Sequence, residues 1–255
     1  MRLAFLLATV LCLFAACGFS EERRPAVVVE LFTSEACSSC PPADEMLERL
    51  EQGVSGVRVI ALEEHIDYWN NTGWADRFSS PLFHARQNDY AVFFQSDSIY
   101  TPQIVVNGKA QFVADHYSHV VSQIEEAAIA PQYSLWLQPR RDPRNSAIWD
   151  LSIYVKNIRQ AKPEPADVYL AISETHLTSN VKQGENAGRS LHHGPVVRSF
   201  GVIGNIEARP FNQVGLRSTL KIPSDWNADN LRAVVFIQEH RSRHITAAAS
   251  TSLKN

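Results

Sequence analysis

Cysteine is scarce in this chain, and the few cysteines are unevenly placed. Of 255 residues, 4 are cysteine and 2 are methionine. Cys12 and Cys17 lie close to the N-terminus, Cys37 and Cys40 follow, and residues 41–255 contain none. This placement excludes a small fold that is held together by a network of disulfides.

An excess of charge of one sign is also lacking. The chain has 24 basic and 27 acidic residues, which gives a formal net charge of −3. We therefore expect no nucleic acid partner. The hydrophobic fraction of 45% and the charged fraction of 20% are typical of a soluble globular protein. The length allows one large domain or two of ordinary size.

The N-terminus carries the pattern of an export signal. A basic second residue precedes a nearly uninterrupted apolar run over residues 3–16, which is too short to span a membrane as a helix. We interpret residues 1–20 as a signal peptide. Ordinary cleavage beyond Cys17 would leave a periplasmic protein. Alternatively, residues 14–17 resemble a bacterial lipobox, and lipidation of Cys17 would anchor the exported protein to the membrane of the envelope.

The segment Cys37-Ser38-Ser39-Cys40-Pro41 is the most informative motif of the mature chain. It directly follows residues 26–33, an apolar and β-branched run that predicts a buried strand. A Cys37–Cys40 disulfide closes a tiny loop, so it would stabilise the fold little by restricting the unfolded chain. Because such a pair at a strand-to-helix turn can open and close, it indicates thiol–disulfide chemistry.

Strand and helix patterns alternate up to about residue 130. Ser80 and Pro81 have the residue types of a helix N-cap and first position, and Asn107-Gly108 is typical of a hairpin turn. We predict strands over residues 26–33, 57–62, 103–106 and 111–113, with helices over residues 43–50, 81–94 and 115–130. Beyond Pro131 the pattern changes to several short alternating strands, which predicts a β-sandwich of immunoglobulin-like size.

The order strand, CxxC, helix, strand, helix, proline-led strand, hairpin and helix resembles the minimal thioredoxin fold. Thr101-Pro102 falls where that fold carries a cis-proline loop facing the dithiol. The stretch 30–44 resembles the signature of the exported bacterial thioredoxin-like family called domain of unknown function 1223. Further matches to that family are His65-Ile66-Asp67-Tyr68-Trp69, Gly73-Trp74, Ala85-Arg86-Gln87, Tyr100-Thr101-Pro102-Gln103, Val105-Val106-Asn107-Gly108, Gly184-Glu185-Asn186-Ala187-Gly188-Arg189 and Val196-Val197-Arg198.

The resemblance implies the fold and the compartment, and it implies the activity weakly because the family has no settled activity. We predict an α/β thioredoxin-like domain over residues 25–130, followed by an all-β immunoglobulin-like sandwich domain over residues 131–255. Glu35-Ala36 and Glu63-Glu64 depart from the pattern we expect of the family. These departures change the polarity around the cysteines but remove neither cysteine nor the proline.

The predicted activity is that of a thiol–disulfide oxidoreductase. The N-terminus of a helix stabilises a thiolate, so we assign Cys37 as the attacking nucleophile and Cys40 as the resolving thiol. Pro102 and Thr101 would shape the substrate cleft. We expect no diffusible cofactor, and the expected partners are exported proteins with thiols or disulfides, or a redox partner protein.

Glu30 is a further candidate, in the strand that leads to the cysteines. By resemblance to thioredoxins, a buried acid near this point would assist proton transfer to the resolving thiol. The alternative is a glutamate that faces solvent or pairs with an arginine.

Two other classes of function remain open. Cys37, Cys40 and His65 could bind copper or zinc, which would make the protein a metal chaperone. Alternatively, the sandwich could be a non-enzymatic binding module of the envelope beside a vestigial dithiol. We interpret His192-His193, in a turn-like segment, as surface or capping histidines. We interpret Glu185 and Asn186 as residues that tie a loop by hydrogen bonds or dock the two domains, with substrate recognition as the alternative.

Overall fold

The computed structural model describes residues 24–159, 163–209 and 212–254. The predicted signal peptide at residues 1–20, including Cys17, lies outside the described residues. No helix within the described ranges is long and apolar enough to cross a membrane.

The first half of the chain alternates between strands and helices as the sequence predicts. Its elements are β1 (Ala26–Thr33), α1 (Pro41–Glu51), β2 (Arg58–His65), α2 (Pro81–Phe94), β3 (Gln103–Val106), β4 (Ala110–Val113) and α3 (Tyr117–Ala127). The side chain of Ser80 caps α2 by accepting a hydrogen bond from the backbone of Leu82, and Pro81 is the first helical residue. Local capping chemistry therefore fixes where α2 begins.

The second half consists of strands and one short 3-10 turn. The strands are β5 (Tyr133–Arg141), β6 (Ile148–Asn157), β7 (Ala166–Glu174), β8 (Leu177–Asn180), β9 (Ser190–His193), β10 (Val196–Ile206), β11 (Gln213–Lys221), β12 (Leu231–Glu239) and β13 (Ile245–Ser252), and the turn covers Ala228–Asn230. Buried and less buried residues alternate along β6, as expected of a strand with one face in a core.

The predicted fold class, a thioredoxin-like domain followed by a separate immunoglobulin-like sandwich, is wrong. One mixed sheet of eight strands runs in the order β13-β12-β7-β10-β2-β1-β3-β4 and contains strands from both halves of the chain. The strands of the two halves meet at a joint between β2 and β10, which run parallel with Val196 opposite Glu63. The backbone N–H of Glu63 also donates to the carbonyl of Pro195 at 3.0 Å. Where the folding units of the chain begin and end stays a prediction.

Three hydrophobic cores explain why the two halves share a sheet. Helices α1 and α3 pack on one face of β1, β2 and β3. Helix α2 packs on the other face, where Phe83 and Tyr90 contact a core built from both halves of the chain. A second sheet, in the order β11-β6-β5, packs against β7 and β12. A sandwich is present, but its larger sheet continues into the first half.

Candidate functional site

Cys37 and Cys40 form a disulfide at the turn between β1 and α1, with their Cα atoms 5.4 Å apart. Cys40 is the N-cap residue of α1, and its carbonyl accepts hydrogen bonds from the backbone of Ala43 and Asp44 at 2.8 and 3.1 Å. The pair therefore lies at the positive end of the helix dipole, which stabilises a thiolate when the disulfide opens.

Both cysteines are buried, although the two serines between them are exposed. Cys37 is 1% exposed and Cys40 is fully buried, whereas Ser38 and Ser39 are open to solvent. The sulfur of Cys37 lies 3.4 Å from the hydroxyl oxygen of Ser39. A substrate that approaches from outside meets the serines first, so attack on the sulfur of Cys37 requires the loop or its surroundings to move.

Residues 181–189, here called the cover segment, lie over the disulfide loop. The side-chain amide of Asn186 donates to the carbonyl oxygens of Glu35 and Cys37, both at 2.9 Å. The backbone N–H of Ser38 donates to the carboxylate of Glu185 at 3.1 Å, and this contact lowers the pKa of Glu185. The prediction that Glu185 and Asn186 tie a loop by hydrogen bonds is confirmed.

The proline loop lies at the same end of the sheet as the disulfide. The Thr101–Pro102 peptide bond is cis, as the resemblance implies. Gln103 pairs with Phe32 near the end of β1, which places Pro102 beside the strand end that leads to the disulfide. The hydroxyl of Thr101 accepts a hydrogen bond from the indole of Trp69 at 2.9 Å. The structure thus brings Thr101 and Pro102 to the region of Cys37 and Cys40.

Glu30 lies in a different place from the one its predicted role requires. It faces α2, on the side of the sheet opposite α1. Its carboxylate accepts hydrogen bonds from the guanidinium of Arg86 at 2.5 Å and from the hydroxyl of Tyr90 at 2.6 Å. Arg86 also donates to the side chain of Gln238 in β12 at 3.2 Å. The structure therefore shows the alternative interpretation, a glutamate that pairs with an arginine.

A second glutamate completes this group. Glu64 is buried 3.9 Å from Arg86, and burial, with the negative charge of Glu30, raises the pKa of Glu64 well above its usual value. We call the group of Glu30, Glu64, Arg86, Tyr90 and Gln238 the arginine cluster. Its single permanent cation is held among groups from both halves of the chain.

Asp44 is a candidate that the sequence analysis missed. It lies four residues after Cys40 on α1, so its side chain leans over the turn that contains Cys40. The carboxyl is 3% exposed and accepts a hydrogen bond from the hydroxyl of Thr33 at 2.7 Å. Burial, with the negative charge of Glu63, raises the pKa of Asp44 to about 8. The signal was present in the sequence as an acid on the apolar face of α1, in line with Leu47.

Two histidines and three carboxylates form a second buried group close to the disulfide loop. Alternation along β2 sends Glu64 to the face of α2 and sends Glu63 and His65 to the face of α1. His65 lies 2.8 Å from Glu63 through Nε2 and 2.7 Å from Asp76 through Nδ1. We call the group of Glu35, Glu63, His65, Asp76 and His193 the histidine cluster.

His193 connects two carboxylates of the histidine cluster. Its Nδ1 lies 3.0 Å from Glu63, and its Nε2 lies 3.3 Å from Glu35. Burial opposes charge on His193, but the contacts with Glu35 and Glu63 raise its pKa to about 9. Burial alone would raise the pKa of Glu63, but hydrogen bonds with His193 and His65 lower it to about 2. The cluster is thus a network of imidazolium and carboxylate groups.

The histidine cluster is attached to the disulfide loop through its backbone. The N–H of Glu35, two residues before Cys37, donates to the carboxylate of Asp76 at 2.9 Å. The indole of Trp74 donates to the carboxylate of Glu35 at 2.7 Å. The cluster therefore holds Glu35, two residues before Cys37, through both its backbone and its side chain.

Cys37 and Cys40 form a disulfide, and both ring nitrogens of His65 contact carboxylates. Metal binding by Cys37, Cys40 and His65 therefore stays a prediction. The interpretation of His193 as a surface residue is wrong, since it is 3% exposed. The alternation of β9, in which Leu191 and His193 point inward, was the missed signal.

Solved structures and a family profile identify what the chain resembles. Protein AGR_C_4864 from Agrobacterium tumefaciens is 24% identical with a TM-score of 0.63, covering 88% of this chain and 92% of its own. HBP35 of Porphyromonas gingivalis is 14% identical with a TM-score of 0.65. The similarity covers 90% of this chain and 75% of the HBP35 chain. At these identities the likeness shows the fold alone. Comparison with curated proteins found no match. The profile of the family described as "Protein of unknown function (DUF1223)" matches residues 28–238, and the chain belongs to that family.

Proposed function

We propose that this protein is a thiol–disulfide oxidoreductase of the bacterial cell envelope. The observation that carries the proposal is the Cys37–Cys40 disulfide at the N-terminus of α1, with the buried carboxyl of Asp44 one helical turn beyond Cys40. A thiolate is stabilised at a helix N-terminus, and a nearby acid–base group serves the second thiol.

The reaction begins with the reduced pair. The Cys37 thiolate attacks one sulfur of a substrate disulfide, a Cys37–substrate S–S bond forms, and the other substrate sulfur leaves as a thiolate. The Cys40 thiol then transfers its proton to the Asp44 carboxylate and attacks the sulfur of Cys37, which releases the second substrate sulfur. Two electrons pass from the protein to the substrate, and the released thiolates take up protons. The reverse sequence oxidises a substrate dithiol.

Asp44 has the properties that this proton transfer needs. Its pKa of about 8, raised by burial and by Glu63, lies near the ordinary thiol value of about 8.5. A proton can therefore pass between Cys40 and Asp44 with little change in free energy. Asp44 thus takes the role that the sequence analysis gave to Glu30.

The surroundings suit a protein substrate. The exposed Ser38 and Ser39, the cis-proline loop at Thr101–Pro102 and Trp69 beside it form the surface next to the disulfide. The substrates would be exported proteins with thiols or disulfides. Electrons would come from, or pass to, a redox partner protein or a small thiol, and no diffusible cofactor is required.

The location in the envelope is part of the same proposal. Its support is the apolar run at residues 3–16 and the Cys17 lipobox, together with a disulfide, which persists in oxidising compartments. The intact mass of the protein from its native cells tests this part. A mature mass that includes a lipidated Cys17 supports an anchored lipoprotein, and one that begins beyond Cys17 supports a periplasmic protein.

The reduction potential of the Cys37–Cys40 couple tests the activity. The purified protein is equilibrated in glutathione buffers, and its redox state is read by thiol alkylation and mass. A value near −120 to −180 mV supports an oxidant or isomerase, and a value near −270 mV supports a reductant. A pair that stays in one state across this range contradicts the proposal.

Variants test the assignment of the two cysteines. We expect Cys37→Ser to abolish exchange with a model disulfide, Cys40→Ser to accumulate a mixed disulfide, and the matched control Ser39→Ala to retain activity. Full activity of Cys37→Ser contradicts the proposal. Stoichiometric Cu(I) binding that needs both cysteines would support the metal chaperone instead. Unchanged function after replacement of both cysteines would support the binding module.

A further inference from the structure

We propose that Glu63, His65 and His193 form a binding site for a divalent transition-metal ion of the Zn²⁺ class. One ligand atom from each residue lies within 4.8 Å of the others, and all three side chains are buried. His65 Nε2 and His193 Nδ1 both point to Glu63 Oε1, at 2.8 and 3.0 Å. Imidazole nitrogens and a carboxylate oxygen are ligands that Zn²⁺ accepts.

The second ring nitrogen of each histidine supports this assignment. His65 Nδ1 lies 2.7 Å from the carboxylate of Asp76, and His193 Nε2 lies 3.3 Å from that of Glu35. A carboxylate on the far nitrogen is the usual outer partner of a metal-bound histidine, because it fixes the tautomer and the ring orientation. Both histidines of the cluster have this partner on the side away from Glu63.

The carboxylates themselves are held in place. Glu63 Oε2 accepts a hydrogen bond from the backbone of Gly194 at 2.7 Å, which leaves Oε1 for the histidines. Asp76 accepts backbone hydrogen bonds from Glu35 at 2.9 Å and Phe78 at 2.8 Å. The ligands therefore sit in a prearranged frame, as a metal site requires.

One contact at the edge of the cluster is poorly satisfied. Glu35 Oε1 and His193 Nε2 are buried with no hydrogen-bond partner among the described residues, although they lie 3.3 Å apart. Such orphaned buried atoms are rare and call for an explanation. A metal on His193 Nδ1 would direct the Nε2 proton toward Glu35. Metal ligation needs neutral imidazole rings, and a divalent cation would then take the place of the two ring protons that offset the three carboxylates.

The site is separate from the disulfide and joins the two halves of the chain. Glu63 and His65 belong to β2, and His193 belongs to β9. No cysteine sulfur takes part, so the proposal stands whether or not the protein exchanges disulfides. Because the three ligands come from β2 and β9, a bound ion would fix β9 on β2.

Zinc binding by the full chain tests the proposal. The protein is stripped with a chelator and dialysed against Zn²⁺, and bound zinc is measured by elemental mass spectrometry. The double variant Cys37→Ser, Cys40→Ser is measured in parallel, because it removes the thiolates and the proposed redox activity together. We expect one zinc ion per chain in both proteins.

Histidine variants locate the ion. We expect His65→Gln and His193→Gln to lose the bound zinc, and the control His84→Gln to keep it, since His84 pairs with Asp67 at 3.0 Å outside the cluster. Asp76→Asn should weaken binding about 10- to 100-fold. If the histidine variants fail to fold, X-ray absorption of the zinc-loaded Cys37→Ser, Cys40→Ser variant should show nitrogen or oxygen at about 2.0–2.1 Å and no sulfur.

The proposal is overturned by a folded chain that binds no zinc. It is also overturned by binding that survives in folded His65→Gln and His193→Gln variants, by binding that disappears when the cysteines are replaced, and by sulfur in the absorption spectrum.

Discussion

The arginine cluster and the histidine cluster lie on opposite faces of β1 and β2, and they differ in the cations that balance their carboxylates. Arg86 is permanently charged and presents a fixed fork of donors to Glu30. His65 and His193 carry charge that depends on their surroundings, and their nitrogens can exchange a proton for a metal ion. Both clusters connect the first half of the chain to the second, through Gln238 and through His193.

The two clusters differ in how the connection that each makes between the halves of the chain can respond to protons or metal ions. The guanidinium of Arg86 stays charged over the physiological pH range, and it touches none of the cysteines in the contacts described above. An imidazole network gives a joint that can respond to protons or metal, and its members Glu35 and Asp76 hold the loop that carries Cys37. We therefore infer that the arginine cluster serves the fold and the histidine cluster serves the site.

The largest expected effect comes from breaking the arginine cluster. Arg86→Met leaves the Glu30 carboxylate buried without its cation, so we expect the free energy of unfolding to fall by about 3–5 kcal/mol. Denaturant unfolding measures the change. The matched control Arg140→Met removes a cation that is 78% exposed and lies 3.4 Å from Asp150, and it should cost no more than about 1 kcal/mol. Equal losses in the two variants would contradict the structural role of Arg86.

The next prediction concerns how the free energy of unfolding depends on pH, through a residue on the same face of the sheet as the histidine cluster. Asp44 has a pKa of about 8 in the native state, raised by burial and by the negative charge of Glu63, against an ordinary value of 3.8. Between about pH 4 and pH 8 the unfolded chain has released this proton while the native state retains it. The contribution of Asp44 to the free energy of unfolding is thus fully present below pH 4 and is lost as the pH rises toward 8. Over this range the free energy of unfolding falls by at most about 1.4 kcal/mol per pH unit because of Asp44.

The variant Asp44→Asn isolates that slope. We expect the free energy of unfolding of the variant to fall less steeply between pH 4 and pH 8 than that of the wild-type protein. Denaturant unfolding at several pH values checks this. The exposed Asp89 provides a matched control, because Asp89→Asn should leave the slope unchanged. Parallel curves for the wild type and Asp44→Asn would show that the carboxyl ionises in the native state at low pH.

The smallest effect concerns the cover segment beside the histidine cluster. Asn186→Ala removes two hydrogen bonds to the backbone of Glu35 and Cys37, which should cost about 1–3 kcal/mol in all. Because the cover then opens more often, we expect faster reduction of the disulfide by dithiothreitol. The exposed Asn88 on α2 supplies the control Asn88→Ala. An unchanged reduction rate in Asn186→Ala would show that the cover segment does not limit access to Cys37.

Features set by neighbouring residues could be predicted from the sequence. Ser80 and Pro81 predict the first turn of α2, and the structure begins that helix at Pro81. Asn107 and Gly108 predict a turn, and both have positive φ angles, of 45° and 69°. Here the chemistry that decides the conformation lies within a few residues of the position itself.

Features set by distant residues could not be predicted in the same way. Nothing in the sequence of β10 says that Val196 pairs with Glu63 of β2. Glu30 meets Arg86 because α2 packs across the joint, and that packing depends on both halves of the chain. His193 lies in a strand of four residues, and its contacts with Glu63 and Glu35 depend on residues more than a hundred positions away.

The joint between β2 and β10 also has a consequence for the making of the protein. Strand β2 ends at His65, and β10, which pairs with its outer edge, begins at Val196. At a synthesis rate of about 5–20 residues per second, the intervening chain takes roughly 7–26 s to appear. During that interval β2 presents an open edge that can pair with other chains. A product truncated near residue 130 lacks β10, so we expect it to aggregate more readily than the whole chain.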